Sequence, residues 1–157
     1  MGTLYEDDII AWSEQQAALL RAGRWELLDR DNIAEEIEDV GNREKKELRS
    51  RMIVLLTHLL KWQFQASHRG SSWINTIRTQ RVAIEDALDD YPSLHKLLDD
   101  PQWLAKTYSR AAREACAQTH LKVIPAALPW SAAQCVSHDF WPDGATAAAS
   151  GATDSPG

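Results

Sequence analysis

The chain has 157 residues, of which 44% are hydrophobic and 25% are charged, so it has the composition of one soluble globular domain. The two cysteines, Cys116 and Cys135, lack the spacing of a disulfide framework, and the longest near-apolar run, residues 52–60, is too short for a membrane span of about 20 residues. We therefore expect a cytoplasmic protein with free thiols, no signal peptide and no membrane contact.

The charged side chains are unevenly distributed along a chain whose net charge is −6. Residues 1–39 carry 3 basic and 11 acidic side chains, residues 40–84 carry 9 and 2, and residues 85–157 carry 5 and 10. The basic middle has two interpretations: helices that neutralise one another in an antiparallel bundle, or a surface for a polyanion. The acidity of the whole chain favours the first, because phosphate binding depends on positive charge.

The N-terminal sequence predicts one amphipathic helix. Thr3 and Glu6 have the spacing of a capping box, and the helix is expected to end near Gly23, before a short turn in "RWELLD". The residues of its apolar face recur at helical intervals and are Tyr5, Ile9, Trp12, Gln16 and Leu19.

A second apolar stripe predicts one long helix from Ile33 to about Gln65, capped by Asp31 or Asn32. Its phase continues through Gly41, although a glycine inside a helix costs about 1 kcal/mol. The stripe comprises Ile33, Ile37, Val40, Leu48, Met52, Leu55, Leu59 and Trp62. Apolar residues beside the stripe indicate that the second half of this helix is nearly enclosed.

Two further helices and an aromatic segment follow. Ser71 or Ser72 is expected to cap the third helix, and Asp100 before Pro101 is typical of the start of the fourth. The third helix has the stripe Trp73, Ile77, Ile84 and Leu88, and the fourth carries Leu104, Tyr108, Ala111 and Ala115. The later segment with Trp130, Phe140 and Trp141 is too aromatic for a free tail, so we expect it to dock on the helices.

These elements predict an all-α fold, an antiparallel helical bundle of about four helices built on one long helix. We expect the bundle to take residues 1–122 and a docked extended or short-helix segment to take residues 123–143. The small polar residues of 144–157 predict a disordered tail.

Three stretches together, "EEIEDVGNREKKELRSR", "LLTHLLKWQFQ" and "SWINTIRTQR", resemble a bacterial family known only as a domain of unknown function, the twenty-ninth in its series. The resemblance covers about Tyr5 to Leu121, and the closing "FWP" also fits. It implies an almost entirely helical fold. It implies no activity and no catalytic residues, because the family has none assigned.

Isolated polar residues near the apolar stripes have both structural and functional interpretations. His58 is expected to be a core histidine bonded to a neighbouring helix; the alternative is a metal ligand or general base, but no HxxxH or HExxH pattern accompanies it. Arg78 and Arg81 lie on or beside the third stripe, and a buried arginine requires an anionic partner. We therefore predict structural ion pairs within the set Glu35, Glu36, Glu38, Arg78 and Arg81.

The loop before the third helix is the candidate anion site. It combines basic side chains with a glycine and two hydroxyls at a helix start, where free backbone N–H groups favour phosphate or carboxylate. The residues of this candidate site are Lys61, His68, Arg69, Gly70, Ser71 and Ser72. The alternative is an ordinary solvated loop with a serine cap.

The leading functional hypothesis is a non-catalytic interaction or regulatory module that binds a protein partner or forms a homo-oligomer. The second is anion or nucleic-acid binding through the basic residues 40–84, and the third is a metal-dependent enzyme. We expect no cofactor, no metal site and no catalytic residues.

Overall fold

The computed structural model describes residues 2–142 and contains, over that range, seven α-helices and no strand. The all-α prediction is therefore confirmed. The helices are α1 (Leu4–Asp7), α2 (Ile9–Arg21), α3 (Arg30–Phe64), α4 (Ser71–Asp90), α5 (His95–Leu98), α6 (Pro101–Thr119) and α7 (Ala132–Val136). Short 3₁₀ helices lie at Trp25–Leu27, Ala66–His68 and Pro92–Leu94.

The chain forms two compact units whose boundary lies inside α3, between Glu44 and Lys45. The N-terminal unit contains α1, α2 and the first part of α3, and the C-terminal unit contains the rest of α3 and the later helices. The predicted division into a bundle over residues 1–122 and a docked segment over residues 123–143 stays a prediction. The predicted disordered tail, residues 144–157, lies outside the described residues.

The predicted first helix is two helices, because the chain leaves the helical conformation at Asp8. The capping box of Thr3 and Glu6 is confirmed at the start of α1. The Asp8 carboxylate then caps α2 by accepting a hydrogen bond from the Ala11 amide at 3.1 Å. After α2 the chain turns at Gly23, whose φ of 71° lies in the left-handed region that favours glycine.

A small polar network holds the N-terminal unit together. The Asp29 carboxylate accepts a hydrogen bond from the indole nitrogen of Trp12 at 3.0 Å, and the Asp29 amide donates to the side-chain oxygen of Gln16 at 2.9 Å. Trp12 and Gln16 are buried, and the ring of Tyr5 meets the ring of Trp12 edge to face at 4.8 Å. The burial of a glutamine on the predicted apolar face is explained by this hydrogen bond.

The long helix is confirmed: α3 runs without interruption through Gly41. It begins at Arg30, so Asp31 and Asn32 lie in its first turn and do not cap it. Its stripe is buried from Leu48 onwards.

The first half of the stripe is not core. Ile37 is 66% exposed and Val40 is 76% exposed, although the sequence had placed both on the buried side. A helical period identifies which residues share a face, but burial requires a neighbouring element to cover that face.

The main hydrophobic core lies in the C-terminal unit, where the second half of α3 packs with α4 and α6. The predicted common core is confirmed for Leu55, Leu59, Trp62, Ile77 and Ile84, all fully buried. Trp73, also predicted there, is partly buried and packs against the same cluster. The predicted Asp100 cap of α6 is confirmed too, since its carboxylate accepts hydrogen bonds from the Gln102 and Trp103 amides.

The segment after α6 contacts the C-terminal core at three points. The Tyr108 hydroxyl donates to the carbonyl of Pro125, the carbonyl of Cys135 in α7 accepts a hydrogen bond from Arg81, and the Trp141 ring lies 4.8 Å from the ring of Trp62. These contacts bring residues near the end of the described chain onto α3 and α4.

Candidate functional site

The predicted anion-binding loop has a different cap from the expected one. Gly70 is the N-cap of α4, in an extended conformation, and Ser71 and Ser72 occupy the first helical positions. No side chain of the described residues caps this helix end. Ser71 and Ser72 therefore do not cap α4 as the sequence had suggested, because each already has helical backbone geometry.

Two basic side chains of the candidate anion site, Lys61 and Arg69, lie against tryptophan rings. Lys61 is buried, with its ammonium 5.8 Å from the centroid of Trp73, and burial lowers the pKa of Lys61. The Arg69 guanidinium lies 4.9 Å from the centroid of Trp62, and its Nε donates to the Trp62 carbonyl at 2.6 Å. His68 is exposed. Anion binding at this loop stays a prediction, and two of its cations are already engaged by the protein.

His58 bonds within its own helix. Its Nδ1 lies 2.8 Å from the carbonyl oxygen of Val54, where the sequence had suggested a partner on a neighbouring helix. The ring is half-buried, and burial lowers the pKa of His58. Across residues 2–142, no group of three or more histidine, cysteine, aspartate or glutamate side chains could hold a metal ion.

The acidic cluster of α3 has a tyrosine partner that sequence reasoning missed. The Tyr5 hydroxyl donates to the Glu36 carboxylate at 2.6 Å. This hydrogen bond raises the pKa of Tyr5 to about 12, because ionisation would place two negative charges together. Glu35 and Glu38 are exposed.

Arg81 lies in a different environment from the predicted ion pair. It is fully buried, and its Nε donates to the Cys135 carbonyl at 2.9 Å. Its guanidinium is 5.4 Å from the centroid of Trp141, and neither terminal nitrogen has a hydrogen-bond partner among the described residues. The predicted pairing with Glu35, Glu36 or Glu38 is therefore wrong for Arg81. Arg78 is exposed, and its pairing stays a prediction.

A second unpartnered donor lies near the same aromatic ring. The indole nitrogen of Trp62 is buried and makes no hydrogen bond with any described residue, and its ring contacts that of Trp141. Trp62 was expected in the core and Trp141 was expected to dock on the helices, whereas Arg81 was placed only on or beside the stripe of its helix. Their convergence could not be predicted, because Trp141 is 60 residues beyond Arg81 in the chain.

A basic groove lies between α3 and α6. It has a volume of about 500 Å³, and its lining consists of Lys46, Arg49, Ser50, Ile53, Val54, Arg110 and Glu114. Arg110 is paired with Glu114 at 3.1 Å. Lys46 and Arg49 make no ion pair with a described residue, so their charges face an open groove with half-buried Ile53 and Val54 beside them.

A larger and more apolar cavity of about 790 Å³ lies between α6 and the segment that follows it. Tyr108, Cys116, Ile124 and Trp130 are among its lining residues. Its polar lining includes Ser109, Arg113 and Lys122, and the Tyr108 hydroxyl already bonds to the Pro125 carbonyl. No helix in the described part of the chain is long and apolar enough to span a membrane.

The comparisons with known proteins identify a family and no function. The family profile described as "Domain of unknown function DUF29" matches residues 4–141, nearly the whole described chain. No curated protein and no solved structure matches the chain.

Proposed function

We propose that this chain, which belongs to the family described as Domain of unknown function DUF29, is a non-catalytic interaction module that associates with a second copy of itself. One observation carries the proposal, the exposed apolar face of α3 in its acidic first half. We define this acidic apolar face as Ile37 and Val40 with Glu44, which lies four residues after Val40 and seven after Ile37 and so shares their face of α3.

Exposed apolar surface is concentrated in the N-terminal unit. Eight of the eleven large hydrophobic side chains that are exposed among the described residues belong to this unit: Leu4, Ile9, Ile10, Leu20, Trp25, Leu27, Ile37 and Val40. Single exposed apolar residues are ordinary, whereas a concentration of them is typical of an interaction surface. Ile37 and Val40 are three residues apart in α3, so their exposed side chains lie on one face of this helix.

The uneven charge of the chain indicates which surface of a second copy the acidic apolar face would contact. Residues 1–44 carry 4 basic and 12 acidic side chains, which opposes the docking of two N-terminal units on each other. Residues 45–84 carry 8 basic side chains and 1 acidic side chain. We therefore propose that the acidic apolar face of one copy meets the basic groove of the other, where Lys46 and Arg49 supply positive charge and Ile53 supplies apolar contact.

A two-fold dimer would form this contact twice, because the same pair of surfaces is present on both copies. Burial of the exposed parts of Ile37 and Val40 on both copies would contribute roughly 4–9 kcal/mol, because about two-thirds to three-quarters of each side chain is exposed in the monomer. That gain is comparable with the cost of association, estimated at about 4–15 kcal/mol. We therefore expect a weak, concentration-dependent dimer that dissociates more readily at high salt, where charge attraction is screened.

Sedimentation velocity on the full chain tests the proposal. Val40→Glu places a charge in the acidic apolar face and should shift the dimer towards monomer, whereas the matched change Val123→Glu should not. Val123 is also strongly exposed, at 82%, but lies outside the proposed contact. A wild-type protein that stays monomeric at high concentration and low salt would contradict the proposal. So would equal behaviour of the two variants.

The same groove makes nucleic-acid binding the competing function. Lys46, Arg49 and Arg110 line it, and a polyanion would be attracted by the same charges. Fluorescence anisotropy with a labelled oligonucleotide distinguishes the two, because binding that persists in Val40→Glu would support the polyanion function.

We place the module in the cytoplasm, a proposal supported by the two free thiols.

A further inference from the structure

The buried guanidinium of Arg81 is an incomplete binding group. Its Nε donates a hydrogen bond to the Cys135 carbonyl, but NH1 and NH2 are buried without a hydrogen-bond partner among the described residues. These two nitrogens form the planar fork that matches the two oxygens of a carboxylate or phosphate. Buried polar groups are almost always hydrogen-bonded, so two unpartnered nitrogens on one fully buried side chain indicate a missing partner.

The missing partner must supply negative charge as well as acceptor atoms. Burial lowers the pKa of Arg81 to about 10, which still leaves the guanidinium protonated at neutral pH. Burial also raises the pKa of Cys135 to about 12, so the nearby thiol is neutral and cannot compensate the charge. No carboxylate of the described residues forms an ion pair with Arg81. A water molecule would satisfy the N–H groups but would leave the charge unpaired.

Trp62 adds a further donor on the same aromatic ring. Its buried indole N–H has no partner among the described residues. The Trp62 ring lies 4.8 Å and the Arg81 guanidinium 5.4 Å from the Trp141 ring. The Trp62 ring and the Arg81 guanidinium therefore both lie against Trp141, and together they carry three buried donor nitrogens without a hydrogen-bond partner.

We propose that Arg81 and Trp62 form a buried site for one small oxyanion, a carboxylate or an inorganic oxyanion such as phosphate or sulfate, closed by Trp141. Arg81 would bind two oxygens through NH1 and NH2, and the indole N–H of Trp62 would donate to the same ligand. This site adjoins the loop at Gly70, because Trp62 also contacts Arg69, but it uses different donor groups and does not depend on self-association.

The test is a titration of the full chain followed by NMR of the indole N–H groups, in a buffer that contains no chloride, phosphate, sulfate or carboxylate. The chain has seven tryptophans, and Trp62→Phe identifies the Trp62 signal by its loss. Phosphate, sulfate and acetate are added separately. We expect a saturable shift of the Trp62 indole signal. Saturation by phosphate or sulfate alone would identify an inorganic oxyanion, and saturation by acetate alone would identify a carboxylate.

Variants separate a binding role from a structural one. Arg81→Lys keeps a positive charge but removes the fork, and Trp62→Phe removes the N–H together with the five-membered ring of the indole while keeping a six-membered aromatic ring in the core. Loss of one hydrogen bond to a charged ligand should weaken binding by roughly tenfold or more in Trp62→Phe, measured by calorimetry. The exposed Arg78→Lys on the same helix should bind as the wild type does. If Arg81→Lys does not fold, the oxyanion affinity of Trp62→Phe compared with that of the wild type still decides whether the ligand binds at this site.

Three results would overturn the proposal. The first is no shift of the Trp62 indole signal with any of the three anions at millimolar concentration. The second is an equal shift with added chloride, which would show unspecific anion binding. The third is unchanged affinity in Trp62→Phe, which would place any bound oxyanion elsewhere.

Discussion

Leu59 and Ile37 lie on the same predicted stripe of α3, yet alanine substitution should destabilise the protein strongly at Leu59 and hardly at Ile37. Leu59 is fully buried in the C-terminal core, whereas Ile37 is 66% exposed. Leu59→Ala removes three buried carbons, which at about 0.8 kcal/mol each corresponds to about 2.4 kcal/mol of lost transfer free energy. The cavity left behind adds to this loss, so the free energy of unfolding should fall by about 2–5 kcal/mol. Ile37→Ala should change it by less than about 0.5 kcal/mol in the monomer.

Chemical denaturation followed by circular dichroism measures both changes under the same conditions. The protein concentration is kept where sedimentation shows monomer, so that a dimer contact of Ile37 does not contribute. Thermal melts should show a lower Tm for Leu59→Ala, by on the order of 10 °C. A loss below about 1 kcal/mol for Leu59→Ala, or equal losses for both variants, would refute the assignment of buried and exposed halves to α3.

Three further results are expected. Gly41→Ala should stabilise the protein by about 0.5–1 kcal/mol in denaturant titrations, because the position is helical and an added Cβ would meet nothing within 4 Å. Gly23→Ala should destabilise the protein, because Gly23 has a positive φ, and the reverse order of the two stabilities would contradict the backbone geometry. The phenol of Tyr5 should ionise at about pH 12 in an ultraviolet titration, so its hydrogen bond stabilises the fold fully below about pH 10 and this contribution is lost as the pH rises from about 10 to about 12. A titration near 10 would show that the bond is absent. Cys116 should react with a thiol reagent at pH 8 before Cys135, whose burial raises its pKa to about 12; mass spectrometry that found Cys135 modified first would contradict its burial.

Local sequence signals predicted the helices because they depend on neighbouring residues. The unbroken phase through Gly41 predicted a continuous α3, and the capping box at Thr3 and the Asp100 cap were recognisable from short patterns. The helix break at Asp8 was missed, because the apolar period continues across it.

The binding surfaces depend on contacts between residues that are distant in the chain, so they could not be predicted in the same way. The position of Arg81 near an apolar stripe did indicate burial, but its hydrogen bond reaches Cys135, 54 residues later. The exposed positions Ile37 and Val40 match the buried ones in pattern, and only the arrangement of the neighbouring elements distinguishes them.

A charge-exchange experiment tests the proposed contact between two copies most directly. One variant reverses the acid of the acidic apolar face, Glu44→Lys, and the other reverses the cations of the groove, Lys46→Glu with Arg49→Glu. Each variant alone should be monomeric, because like charges would face each other in both contacts of a two-fold dimer. Mixing them places opposite charges in both contacts. Sedimentation velocity should then show a mixed dimer at low salt, whereas two monomers that remain separate after mixing would contradict the account.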